Sequence, residues 1–143
     1  MLSRKTKYAI KALTVLAKNP ENKPIHISEI ATKESLPKKY LEAILIDLKR
    51  FGFIASRKGT TGGYYMLKRA EDIKLSALYR IFEGPIALTP CASVHYYEKC
   101  VECDDEVTCT LRGAMLNVRN ATLGVLDNTS IADLAIDNNL AGS

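Results

Sequence analysis

Apolar and polar positions alternate along the chain at three distinct spacings, and each predicts a different kind of element. Over residues 3–18, Tyr8, Ala9, Leu13, Leu16 and Ala17 recur at steps of one, three and four with lysines between them, which predicts an amphipathic helix. Pro20 and Pro24 end it. Helical patterning resumes in "ISEIATKESL" after Ser28, read as an N-cap, to give a short second helix. In "SLPKKYLEAILIDLKRFG", Leu41, Ile44, Leu45, Leu48 and Phe51 fall on one helical stripe, with Pro37 at a first helical position and Gly52 as a terminator. The pattern then shortens. Residues 53–56 and 64–67 are aromatic and apolar around "RKGTTGG", which predicts a β-hairpin. Residues 75–83 read as a short helix stopped by Gly84-Pro85. Leu111, Met115, Val118, Thr122, Val125 and Leu126 then form a stripe along a long helix, "TSIADLA" a last short one, and "IDNNLAGS" a loose tail.

The order helix, two helices joined by a tight turn, then hairpin is that of a winged helix-turn-helix. The predicted fold is therefore mainly α with a small β-hairpin. It divides into a DNA-binding domain over residues 1–84, a cysteine-bearing loop over 85–110, and a dimerisation helix with its tail over 111–143. The long apolar stripe exceeds what a small winged domain can cover, so Leu111, Met115, Val118, Thr122, Val125 and Leu126 are the expected homodimer contacts.

Charge sharpens this division. Residues 1–70 hold 15 Lys/Arg against 5 Asp/Glu, whereas residues 71–143 hold 5 against 11. A basic module joined to an acidic one points to a polyanion partner for the first, here double-stranded DNA. Ser28, Lys38, Lys39 and Tyr40 would lie on the helix-turn-helix. Arg57, Lys58, Gly59, Thr60, Thr61 and Gly62 would form the wing, with Arg57 and Lys58 near phosphates or a minor groove. A dimer would suit a palindromic operator. No apolar run reaches membrane-span length and the N-terminal residues lack a signal-peptide pattern, so a cytoplasmic location is expected.

All four cysteines lie in one stretch, as Cys91-x8-Cys100-x2-Cys103-x5-Cys109. In a reducing compartment such clustering points to metal binding or thiol chemistry rather than structural disulfides. Four thiolates suit either tetrahedral Zn²⁺ or an all-cysteine iron–sulfur cluster. A single Cys-x2-Cys step, where zinc sites more often have two, leans toward the cluster. Crowding by Glu98, Glu102, Asp104, Asp105 and Glu106 makes a positively charged metal core the natural compensation. A thiol-redox or unmetallated loop stays open, as does a zinc-stabilised interaction module. His95 is read as a loop residue rather than a ligand, and His26 as structural or exposed. No residue set suggests catalysis.

The stretch "LKRFGFIASRKGTTGGYYML" resembles the helix-to-wing signature of the Rrf-type family of winged-helix regulators, which includes IscR, NsrR and CymR, and the resemblance covers nearly the whole chain. That wing reads Ser, any residue, Arg, Gly, two variable residues, Gly-Gly-Tyr. Here Ser56 to Tyr64 match it, except that Lys58 replaces the arginine. The resemblance implies a DNA-binding transcriptional regulator, in most cases a repressor, dimeric through its long helix. It also implies that the cysteine segment holds an iron–sulfur cluster, [2Fe-2S] or [4Fe-4S]. Cluster-bearing members carry three cysteines there, in two Cys-x5-Cys steps, and Cys103-x5-Cys109 matches the second. Relatives take a fourth ligand from a histidine, at the position of Arg112, or from an aspartate, near Lys7. Cys100 or Cys91 would replace it.

Overall fold

The computed structural model describes residues 1–136. Among the described residues, six α-helices and one two-stranded antiparallel sheet follow in the order α1 (Arg4–Lys18), α2 (Ile27–Glu34), α3 (Lys38–Arg50), β1 (Ile54–Arg57), β2 (Gly63–Met66), α4 (Leu75–Phe82), α5 (Thr110–Leu126) and α6 (Ile131–Ile136). Among the described residues no helix is long and apolar enough to cross a membrane.

The helical periodicity is carried directly into the core. Ala9, Ala12, Leu13 and Leu16 of α1 meet Leu41, Ile44, Leu45 and Leu48 of α3, with Ile30 of α2 closing one side and Phe53 and Ile54 another. Burial of each aliphatic side chain here contributes about 1.5–3 kcal/mol. Ile131 of α6 is also fully buried in this cluster, and its N–H donates to the Ile73 carbonyl at 2.9 Å. The chain thus returns from α5 to pack α6 on α1.

Several boundaries differ from the sequence expectation. The N-cap of α2 is His26 rather than Ser28, because the imidazole Nδ1 accepts the Ser28 N–H at 3.2 Å. Pro37 is the cap of α3 rather than its first helical residue. Phe51 closes α3 and leaves the stripe for solvent, where the Arg50 guanidinium covers its ring. Gly52 then takes φ +83, the left-handed turn that a helix terminator needs. Both strands sit one residue from their expected positions, pairing Ile54 with Met66 and Arg57 with Gly63. The last helix starts at Ile131, not at Thr129. The expected loose tail falls outside the described residues beyond Ile136.

The hairpin is fastened to the helices by the segment between α1 and α2. Ile25 exchanges both backbone hydrogen bonds with Tyr64 at 2.8 Å, and the Asn22 side chain pairs with both backbone groups of Met66 at 2.7 and 2.9 Å. This close approach requires Gly63, at φ +142, since a Cβ there would stand 2.4 Å from the Ile25 carbonyl carbon. Lys49 of α3 donates to the Ser56 hydroxyl at 2.7 Å, a second link from the third helix to the wing.

Candidate metal centre and nucleic-acid interface

The cysteine-bearing segment connects α4 to α5. Its first landmark is a 3-10 turn, Pro90–Ala92, that buries Cys91, Ala92 and Ser93 against the body of the protein. Arg119, two turns along α5, holds that turn by donating from Nη1 to the Ala92 carbonyl at 2.9 Å. A tight turn follows in which the Cys103 N–H donates to the Cys100 carbonyl at 3.1 Å, so the Cys-x2-Cys step brings two thiols round one bend. Cys109 is the N-cap of α5, its sulfur accepting the Arg112 N–H at 3.3 Å.

These three features bring all four cysteines to one cavity of about 350 Å³, completed by Thr89, Pro90, Glu102, Leu111 and Arg112. Cys91 and Cys100 stand 3.6 Å apart, Sγ to Sγ. The Cys91 thiol is held below its ordinary pKa, first by its hydrogen bond with the Thr89 hydroxyl and, more weakly, by Cys100 and by the charge of Arg112. Cys100 is pushed up by its hydrogen bond to Cys91 and by burial, and Cys103 by burial and the charges of Cys109 and Glu106. Arg112 has a buried Nε with no hydrogen-bond partner. Yet among the described residues no three His, Cys, Asp or Glu side chains stand close enough together to hold a metal ion. The donor set thus has the chemistry for an iron–sulfur cluster and space for a group larger than one ion. His95 is exposed and does not line this cavity. Glu106 is engaged with the Tyr97 hydroxyl instead of facing a metal.

The residues expected to meet DNA lie at the other end of the molecule's sequence logic, on α2, α3 and the hairpin. Lys38 and Lys39 are exposed at the start of α3, whose cap Pro37 supplies no side-chain acceptor to its first-turn N–H groups. Tyr40 packs edge-on against Tyr8 of α1, ring centroids 5.5 Å apart, and remains 42% exposed. Arg57, Lys58, Gly59, Thr60 and Thr61 are exposed along the hairpin tip, while Gly62 is buried where its N–H donates to the Gly59 carbonyl at 3.0 Å. The Arg57 guanidinium stands over the Tyr65 ring. Ser28 is exposed on the first turn of α2.

The long helix α5 buries none of its residues completely. Leu111, Val118 and Val125 of the predicted stripe are exposed, at 60%, 40% and 63%, and Met115 and Leu126 are half-buried. Thr122 is exposed and returns its hydroxyl to the Val118 carbonyl at 2.8 Å.

With its helices, short hairpin and cysteine pocket at the head of a long helix, the chain matches a known family over residues 2–137, that of Rrf2, described as an iron-dependent transcriptional regulator. The chain belongs to the Rrf2 family. Regulators of the Rrf2 family are DNA-binding transcription factors, not enzymes, and this Rrf2 chain is a transcriptional regulator of that kind. It is 39% identical to an rrf2-like HTH-type transcriptional regulator of Rhodobacter capsulatus, over 99% of this chain and 96% of the relative. It is 32% identical to the HTH-type transcriptional regulator NsrR of Geobacillus kaustophilus, over 95% and 90%. Among solved structures, CymR, the global cysteine regulator of B. subtilis, superposes with a TM-score of 0.78 at 27% identity, covering 94% of this chain and 95% of that one. IscR of T. potens superposes at 0.71 with 25% identity, covering 94% and 85%. The winged-helix fold expected of an Rrf2 regulator is thereby shown.

The sequence drew attention to the cysteines but not to what surrounds them. Thr89, the Arg119 tie to Ala92 and the buried Arg112 Nε were missed, since none carries a motif. Tyr8, on the apolar stripe of the first helix, packs half-buried against the core and is also the edge-on partner of Tyr40.

Proposed function

We propose that the chain is a homodimeric repressor of transcription whose affinity for a palindromic operator is set by an iron–sulfur cluster on Cys91, Cys100, Cys103 and Cys109. The observation that carries this reading is the cavity itself. Cys91, Cys100, Cys103 and Cys109 all line one cavity of about 350 Å³. Four thiolates suit a Zn²⁺ or a cluster, and the single Cys-x2-Cys step, in a family described as iron-dependent transcriptional regulators, favours the cluster. Arg112 supports the same reading, because an unpaired buried N–H beside four thiols is matched by an occupant that accepts hydrogen bonds, as cluster sulfides and thiolates do.

On the DNA side, Lys38, Lys39 and Tyr40 read the major groove from the N-terminal end of α3, with Ser28 beside them. Arg57, Lys58, Gly59, Thr60, Thr61 and Gly62 follow the backbone and an adjacent minor groove. The exposed stripe of α5 is the dimer face, and two copies set the half-site spacing. When bound, the cluster supplies metal–thiolate bonds that cross-link residues 91–109. The chain's own part is to pass that restraint on. Cys109 caps α5, and Arg119 ties α5 to the turn bearing Cys91, so the loop and the dimer helix meet at two points. A difference of about 1–3 kcal/mol between the two loop states gives a 5- to 150-fold switch in affinity.

The test is anaerobic purification with assay of iron, sulfide and visible absorbance. Coloured protein with iron and sulfide bears the reading out. Colourless protein with one zinc per chain, or with four free thiols and no metal, overturns it in favour of a zinc-stabilised or thiol-redox regulator.

A further inference from the structure

The four sulfurs do not share their cavity evenly. Cys109 is engaged as a helix cap, and displacing it would release the first turn of α5. Cys103 sits on the tight turn that its N–H closes with the Cys100 carbonyl. Cys91 and Cys100 are different, since the Cys100 thiol donates directly to the Cys91 sulfur at 3.6 Å. A disulfide requires about 2.05 Å between sulfurs, so the pair must close by roughly 1.5 Å. Both cysteines line the cavity, which is the route for a small reagent to a cysteine otherwise buried in its turn.

We propose that Cys91 and Cys100 form a reversible disulfide when a hydroperoxide enters the cluster-free pocket. This rests on the cluster reading only in naming the cluster-free protein as the reacting state. The Cys91 sulfur attacks one peroxide oxygen. The O–O bond breaks, an S–O bond forms, and the departing oxygen leaves as water or alcohol with the thiol proton. Cys100 then attacks the Cys91 sulfur. The S–S bond forms as the S–O bond breaks, and hydroxide leaves as water with the Cys100 proton. Two thiols are oxidised by two electrons, and one hydroperoxide is reduced. The link starts from the turn that Arg119 holds through the Ala92 carbonyl.

The experiment treats the full chain, freed of metal by chelator and then of reductant, with one equivalent of hydrogen peroxide under anaerobic conditions, followed by thiol counting and non-reducing peptide mapping. Expected are loss of two of the four thiols, a peptide joining Cys91 to Cys100, and full recovery with dithiothreitol. The link should persist in Cys103→Ser and be absent in Cys100→Ser. A Cys103–Cys109 link, a sulfinic acid at Cys91 with Cys100 still free, or four surviving thiols would overturn the proposal. Iron and sulfide in the protein as isolated report separately on the cluster. A chain without iron that forms the link loses the cluster reading and keeps this one, and a cluster-bearing chain that fails to form it does the reverse.

Discussion

Arg119 and Ala92 are joined by a hydrogen bond of 2.9 Å, from guanidinium Nη1 to backbone carbonyl, although 27 residues separate them. The bond ties the turn bearing Cys91 to the middle of α5. Arg119→Ala removes this tie and leaves the four cysteines in place. Iron and sulfide content should stay at the wild-type level, while the ratio of operator affinities between loaded and cluster-free protein falls at least threefold. Fluorescence anisotropy on a labelled duplex measures both affinities.

A second tie holds the end of α4, just before the cysteine-bearing segment. Glu83, at the end of α4, accepts the Ser3 N–H at 2.7 Å and the Thr6 hydroxyl at 2.5 Å, which holds its carboxyl down at about 2. The Ser3 side chain is the largest cause of that depression, ahead of Thr6 and the Ser3 backbone. The ionised form is the one the folded protein prefers, so this stabilisation is present above the unfolded pKa near 4.5 and is lost as pH falls toward 2. Glu83→Gln should cost about 1 kcal/mol at pH 7 and little at pH 2.5, read from urea unfolding at the two pH values.

The wing separates two kinds of glycine. Gly63 has a positive φ and no space for a Cβ, whereas Gly59, at φ +106, faces open solvent. Gly63→Ala should destabilise by more than about 2 kcal/mol because the Ile25 backbone must move. Gly59→Ala should cost about 1 kcal/mol, from backbone strain alone. Thermal melts of the two variants compare them directly.

Lys38 and Lys39 are exposed at the head of α3. With both as major-groove readers, Lys38→Ala/Lys39→Ala should weaken binding to the operator duplex by about tenfold or more and narrow the gap between operator and random duplex, both read by titration at matched salt. An unchanged preference for operator over random duplex would mean that these lysines are not readers.

The fold was legible because its strongest signals are local. The stripe from Leu41 to Leu48 names the buried face of α3, and the glycines of "RKGTTGG" name the hairpin. Errors gathered where a side chain competes for a backbone group. His26 takes the cap expected of Ser28, because its Nδ1 reaches the Ser28 N–H. Phe51 leaves its stripe because α3 ends there. The cysteine site was legible as a donor set, since spacing shows which thiols occur together, but its supports were not. Thr89, Arg112 and Arg119 act through contacts made only after the chain folds back, and no spacing encodes a contact such as Arg119 to Ala92.

The most direct test of cluster control is operator affinity of the same preparation, loaded and cluster-free, at matched salt. A difference of 5- to 150-fold, lost when Cys91→Ser prevents loading, is the expected result. Equal affinity of the two forms in protein shown to carry iron and sulfide would contradict it.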